Sequence, residues 1–179
     1  PPALLLQRDA RALELPRNER VDAVLTSPPY PGVYDYLKLA REERARLASG
    51  RVPLMGLDAP PKDVRGERVS WPEGWRSVEE MGARKARRRR PAQFGAAWQR
   101  DQAAWLTAVA RSVRVGGRIA IVIGDGDGID AAASTHAAAD ATRDLALVAS
   151  ATIQATGERS QQRKGNRRTE HALLYERVG

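Results

Sequence analysis

Val21-Asp22-Ala23-Val24-Leu25-Thr26-Ser27-Pro28-Pro29-Tyr30 is the stretch whose reading decides the fold. Its first six residues are apolar and β-branched enough to form a strand. Pro28-Pro29 must end that strand, because proline donates no ladder hydrogen bond and fixes its own backbone. The strand therefore stops at Thr26 or Ser27 and passes into a stiff, extended turn. Upstream, Leu4-Leu5-Leu6 is a short apolar run that reads as a strand with Asp9 at its acidic end, followed by a turn at Pro16-Arg17-Asn18-Glu19.

Downstream, residues 37–49 are charged and helical in composition, with Gly50 as C-cap and Pro53 as stop. Residues 50–91 differ in kind. They hold five prolines, scattered glycines, Trp71, Trp75 and the run Arg84-Lys85-Ala86-Arg87-Arg88-Arg89-Arg90, and read as a basic insertion or target-recognition loop within one domain spanning 1–179. From Gln93 to Val113 the apolar residues Phe94, Ala97, Trp98, Trp105, Val109 and Val113 recur at spacings near three and four, predicting a helix that Gly116-Gly117 ends. Arg118-Ile119-Ala120-Ile121-Val122-Ile123 is the strongest strand, near-continuous in apolar residues as the middle of a buried parallel sheet requires. After the loop Gly124-Asp125-Gly126-Asp127-Gly128 come an Ala-rich helix from Ile129 to Leu145 and a strand from Leu147 to Thr156. A polar turn from Gly157 to Thr169 leads to a last strand from Glu170 to Val178. Strands alternating with helices predict an α/β fold with a mainly parallel sheet, and the two closing strands predict an antiparallel hairpin at its C-terminal edge.

Composition narrows the setting. The 179 residues suit one domain, and no apolar run approaches the roughly 20 residues of a membrane helix. The first residues lack the pattern of a signal peptide, so an aqueous compartment is expected, with the cytoplasm as default. The absence of an initiator Met leads us to expect a longer gene product or a processed start. With no cysteine, a disulfide framework and a thiolate zinc site are both excluded. The net charge of +8 favours a polyanionic partner, since Lys and Arg that neutralise phosphates release counterions. Only four of the 30 basic residues are Lys, however, and an Arg-rich, Ala-rich codon composition explains some of that charge.

In open α/β sheets, ligands sit beyond the carboxyl ends of the strands. Asp9, Ser27-Pro28-Pro29-Tyr30 and Gly124-Asp125-Gly126 all fall there. The tetrapeptide is the most informative. An exocyclic amino group on adenine or cytosine is a poor nucleophile because its lone pair is delocalised into the ring. Acceptors at Ser27 Oγ and the Pro28 carbonyl, held rigid by the doubled proline, could pull that nitrogen toward tetrahedral geometry and free the lone pair to attack a sulfonium methyl. Tyr30 supplies a flat face for a base taken out of its stack. A plain strand-terminating turn is the competing reading.

The segments Asp9-Ala10-Arg11, Val21 to Tyr30 and Gly116-Gly117-Arg118-Ile119-Ala120-Ile121-Val122 are together similar to the S-adenosylmethionine-dependent amino-methyltransferases of DNA, which modify adenine N6 or cytosine N4. The resemblance covers both ends of the chain and skips the insertion. It implies a partial Rossmann-like methyltransferase fold, S-adenosyl-L-methionine as cofactor, and catalytic roles for Ser27, Pro28, Pro29 and Tyr30. By the same resemblance Asp9, Ala10 and Thr26 lie on the donor side, and Asp22 is structural. The family's Gly-rich donor loop and the acidic residue that follows it lie upstream of Asp9, where this chain has eight residues. A permuted loop at 124–128 is the lesser alternative to a donor half supplied by an upstream segment or a second polypeptide, and such a fragment presents an exposed sheet edge.

DNA is the expected partner, ahead of RNA, with no membrane. Arg84, Lys85, Arg87, Arg88, Arg89 and Arg90 are candidate phosphate contacts, against a solvated loop. The cluster Arg159, Arg163, Lys164, Arg167 and Arg168 stands equally between those readings. Tyr34 and Tyr36 either line a base pocket or pack a helix start. His136 and His171 share no ligand spacing, Asp125 and Asp127 are expected to cap the following helix, and no metal site is expected. Other readings are an RNA or protein-glutamine methyltransferase, against which Ser27 argues, and a nucleic-acid-binding module that has lost donor binding.

Overall fold

The computed structural model describes residue 6 and residues 8–39, 80–155 and 168–179. Of the expected strand at Leu4–Leu6 only Leu6 is described, and it is not in a strand; the helix beyond residue 39, Trp71, Trp75 and the side chains of the basic cluster at 159–168 lie outside the description. Two 3-10 turns, Ala10–Ala12 and Pro16–Asn18, precede strand β1, Val21–Thr26. Residues 36–39 are helical. Helices α1, Arg84–Arg89, and α2, Pro91–Ser112, lead into β2, Val113–Gly124. Then follow α3, Ala131–Thr142, β3, Leu145–Ala155, and β4, Arg168–Arg177.

The four strands form one sheet in the order β1-β2-β4-β3. β1 runs parallel to β2, while β4 is antiparallel to both β2 and β3. Three strands thus point one way and the reversed β4 lies between two of them. The α/β class and the C-terminal antiparallel hairpin are as expected, and with three of four described strands pointing one way the sheet is consistent with a partial Rossmann-like fold.

One face of the sheet makes the core. Ile119, Ile121, Ile123, Leu173 and Tyr175 pack against Trp98, Trp105, Leu106 and Val109 of α2 and Ala138 and Ala139 of α3. Burying one such Leu or Ile side chain contributes roughly 1.5–3 kcal/mol. The helices are also tied by polar groups. Trp105 Nε1 donates to Gln102 Oε1 at 2.7 Å, Gln102 Nε2 donates to Thr135 Oγ1 at 2.6 Å, and Thr135 Oγ1 donates to the Ala131 carbonyl at 2.7 Å. The buried Gln102 and Thr135 are therefore satisfied, as a dry interface requires.

The opposite face is different. Leu25 is 81% exposed, Val122 38% and Ile153 61%, and their register places Ala120, Leu174 and Ala172 alongside them. Along the near-continuous apolar run of β2, Ile119, Ile121 and Ile123 are buried while Val122 on the alternate face is exposed, so the run is buried on one side only.

Gly116-Gly117 does not end α2, which stops at Ser112, where Val113 turns extended. The pair lies within β2, where the partner of β1 advances from Val113 at Val21 to Arg118 at Ala23. Gly116 has φ +78°, and a Cβ on Gly117 would lie 2.7 Å from the Asp22 carbonyl oxygen. Only glycine fits this bulge. Asp22 pairs with Arg114 at 2.6 Å in the open, a structural role of small energetic weight.

Candidate active site

β1 ends at Thr26, and the residues after it open onto a cavity of about 450 Å³, within the size range of small-molecule sites. Thr26, Ser27, Pro28 and Pro29 line it from the strand end, Arg8, Asp9, Ala10 and Arg11 from the upstream turn, and Tyr36, Leu37, Glu80, Met81 and Trp105 from the other side. Six of the seven predicted catalytic and cofactor residues thus share one wall system at the carboxyl end of a parallel strand.

Tyr30, the seventh, is not among the lining residues. Its half-buried ring lies against Gly124, where a Cβ would come within 2.5 Å of Tyr30 Cε2. Its hydroxyl is 3.4 Å from Glu170 Oε1. Burial and then the charge of Glu170 push the phenol above its ordinary range, while a hydrogen bond with the Ser27 side chain acts the other way. Tyr36 takes the lining position, its hydroxyl accepting from the Tyr30 backbone N–H at 3.4 Å. Tyr36 also packs edge-on against Tyr34 at 5.5 Å, so lining and packing coexist.

Asp9 caps the first 3-10 turn by accepting from the Arg11 backbone N–H at 2.9 Å. Both its oxygens also face the Arg11 guanidinium, at 2.6 Å from Nη2 and 3.0 Å from Nε. That hydrogen-bonded cation holds the Asp9 carboxyl below its usual range and reaches Asp101 at 3.0 Å as well. Asp9, Ala10 and Thr26 thus line the cavity together, with the Asp9 carboxylate already engaged by Arg11. The polar groups that the described residues bring to this cavity therefore include Ser27, the engaged Asp9 carboxylate, Tyr36 and Glu80.

The Gly-rich turn does not complete it. Gly126 pairs with Ile129 and lies so close to Pro31 that a Cβ would be 2.1 Å from the Pro31 carbonyl oxygen. None of residues 124–128 lines the cavity. Asp125 Oδ1 accepts the Ala131 N–H at 2.9 Å and lies 3.0 Å from His171 Nε2, and Asp130 is the N-cap of α3. Asp125, Asp130 and His171 offer ligand atoms within 4.8 Å of one another, but helix capping already uses both carboxylates. Asp127 instead pairs with Arg87 at 2.5 Å.

The basic run folds as α1. The Arg84 N–H donates to the Tyr34 carbonyl at 3.1 Å and the Lys85 N–H to Asp35 Oδ1 at 2.8 Å, which anchors the helix start to the segment after the tetrapeptide. Arg84, Arg87, Arg88, Arg89 and Arg90 are exposed, and Arg87 is engaged by Asp127.

Sequence reasoning missed Glu80. Its Oε1 accepts the backbone N–H groups of Tyr36 and, at 3.2 Å, Leu37, capping the helical segment 36–39. Oε2 is buried without a hydrogen-bond partner.

No protein-family model and no curated protein matches the chain. Among solved structures, the antibiotic-resistance methyltransferase Kmr aligns over 89% of this chain and 88% of its own at 16% identity, with a TM-score of 0.29, a likeness too distant to assign a residue or an activity. Among the described residues, no helix is long and apolar enough to cross a membrane.

Proposed function

We propose that this chain carries the base-binding side of an S-adenosylmethionine-dependent amino-methyltransferase, acting on cytosine N4 or adenine N6 of DNA. The observation that carries the reading is the gathering of Ser27, Pro28 and Pro29 with Thr26, Asp9 and Ala10 around one cavity at the end of β1. Ser27 Oγ and the Pro28 carbonyl accept the amino hydrogens and localise the nitrogen lone pair. Bound S-adenosylmethionine would supply the methyl group, a carbon–sulfur bond being exchanged for a nitrogen–carbon bond and the amino proton passing to water. An upstream segment or second polypeptide completes the donor side. Exposed arginines of α1 contact phosphates.

The test is methyl transfer from labelled donor to DNA, together with calorimetry of S-adenosylhomocysteine, on this chain and on the chain with whatever precedes it in the gene. Ser27→Ala should lower transfer at least about tenfold, the scale of one lost transition-state hydrogen bond, and Tyr30→Ala by a comparable factor through the lost stacking face. Unchanged activity in both sinks the site. A nucleic-acid-binding module without a donor site is the second reading, favoured by the engagement of Asp9 with Arg11. It predicts DNA binding with no calorimetric signal for either form.

A further inference from the structure

Glu80 is built beyond what the fold asks of it. The helical segment 36–39 needs one acceptor at its start, and Oε1 provides it for both Tyr36 and Leu37. An amide would serve as well. The second oxygen, Oε2, is shielded from water and unpartnered, and among the described residues Glu80 forms no ion pair. Native proteins leave few buried polar atoms unmade, and each such atom calls for an explanation. Here the side chain belongs to the wall of the cavity that holds Ser27, Pro28 and Pro29. The terminal torsion of a glutamate is soft, and within a tilt small enough to keep Oε1 on its two N–H groups, Oε2 is the oxygen left for a molecule in that cavity.

We infer that Glu80 is a specificity-determining residue of this cavity, its Oε2 hydrogen-bonding the ring nitrogen beside the amino-bearing carbon of a bound base. The inference rests on the proposed reading of the Ser27–Pro29 site. Because Oε1 already accepts two N–H groups, a proton on this carboxyl belongs on Oε2, which then donates. Burial above all, with the nearby Asp35, raises the Glu80 carboxyl, while its two backbone hydrogen bonds and Lys85 oppose. In cytosine and adenine alike, a ring nitrogen acceptor adjoins the carbon that bears the amino group. In thymine the corresponding position is an N–H, which cannot accept. Glu80 therefore reads the atom next to the one that Ser27 and Pro28 hold.

The experiment compares binding of single-stranded oligonucleotides of deoxycytidine with those of 3-deazadeoxycytidine, and of deoxyadenosine with 1-deazadeoxyadenosine, by fluorescence anisotropy. The full chain is used as wild type, Glu80→Gln and Glu80→Met. Wild type should bind the deaza form of one of the two bases roughly tenfold more weakly, the scale of a lost hydrogen bond that leaves a buried donor unpaired. Glu80→Gln keeps both the cap acceptor and a donor, so it should keep that discrimination. Glu80→Met should lose it, binding normal and deaza forms alike, whatever its loss of thermal stability. Equal binding of both forms by wild type, or discrimination surviving in Glu80→Met, overturns the assignment. If DNA is methylated in a Ser27-dependent way without such discrimination, Glu80 alone is misassigned. If the protein neither binds these oligonucleotides nor methylates DNA, the reading of the site fails as well.

Discussion

At the scale of single residues, two side chains are set by close neighbours. Gly124 is where the Tyr30 ring rests, and any Cβ would overlap it. Gly124→Ala should displace the ring and cost about 1–3 kcal/mol, as overpacking does, measured by urea unfolding; an unchanged midpoint would show that the ring moves freely. Asp9 lies below its ordinary range because of Arg11. A carboxylate depressed in the folded state contributes stability that is fully present above its unfolded value and is lost as the pH falls through its folded value. Arg11→Ala should therefore move the Asp9 titration upward, toward an ordinary aspartate, as carboxyl NMR would record, and remove most of this acid-sensitive contribution to stability. An Asp9 curve that does not move rejects the pairing. Neither arrangement was legible in full. The doubled proline announced the end of β1, but nothing local in the sequence says that Glu80 reaches Tyr36 or that His171 meets Asp125, because those pairs meet only when distant segments fold together.

Elements were more legible than side-chain pairings. The apolar spacing from Phe94 to Val109 located α2 to within about two residues, since a long amphipathic period leaves little choice of face. The basic run was harder. By composition it reads as a solvated loop, yet the Tyr34 carbonyl and Asp35 tether its first residues and make it a helix. Likewise Gly116-Gly117 reads as a helix stop when it is a bulge inside a strand, since glycine marks both. Between α2 and α3, the Gln102–Thr135 hydrogen bond is buried. Thr135→Val keeps the shape and strands the Gln102 amide, so unfolding free energy should fall by about 1–3 kcal/mol; a smaller loss in Thr135→Ser, which keeps the hydroxyl, would confirm that the cost is the unmade bond. For α1, removing Arg88 and Arg89 should weaken DNA binding across all sequences and lower the salt slope by about one unit for each phosphate that is no longer neutralised. An unaltered slope assigns those charges to solvent.

At the scale of the whole molecule, the described residues cover the sheet on one face and leave the other bare, with Leu25 the most exposed of the large apolar residues described. Parallel strands are ordinarily covered on both faces, so this surface should drive self-association of the isolated chain. Leu25→Lys should lower the sedimentation-average mass at a given concentration without changing the unfolding free energy by more than about 0.5 kcal/mol, and an unaltered mass shows that other surfaces associate. The α/β class was evident from the alternation of strands and helices, whereas the bare face was not, because an apolar run does not say how many of its sides are covered. The reversed strand has a consequence in time. Of the four described strands β4 is made last, yet it is the one that joins β3 to the rest of that sheet. While a ribosome has released only residues through 155, β3 has no ladder partner among the earlier strands. The sheet must then close by inserting its latest strand into the middle, so a pause in synthesis between β3 and β4 holds open a gap that a strand from a neighbouring nascent chain can fill.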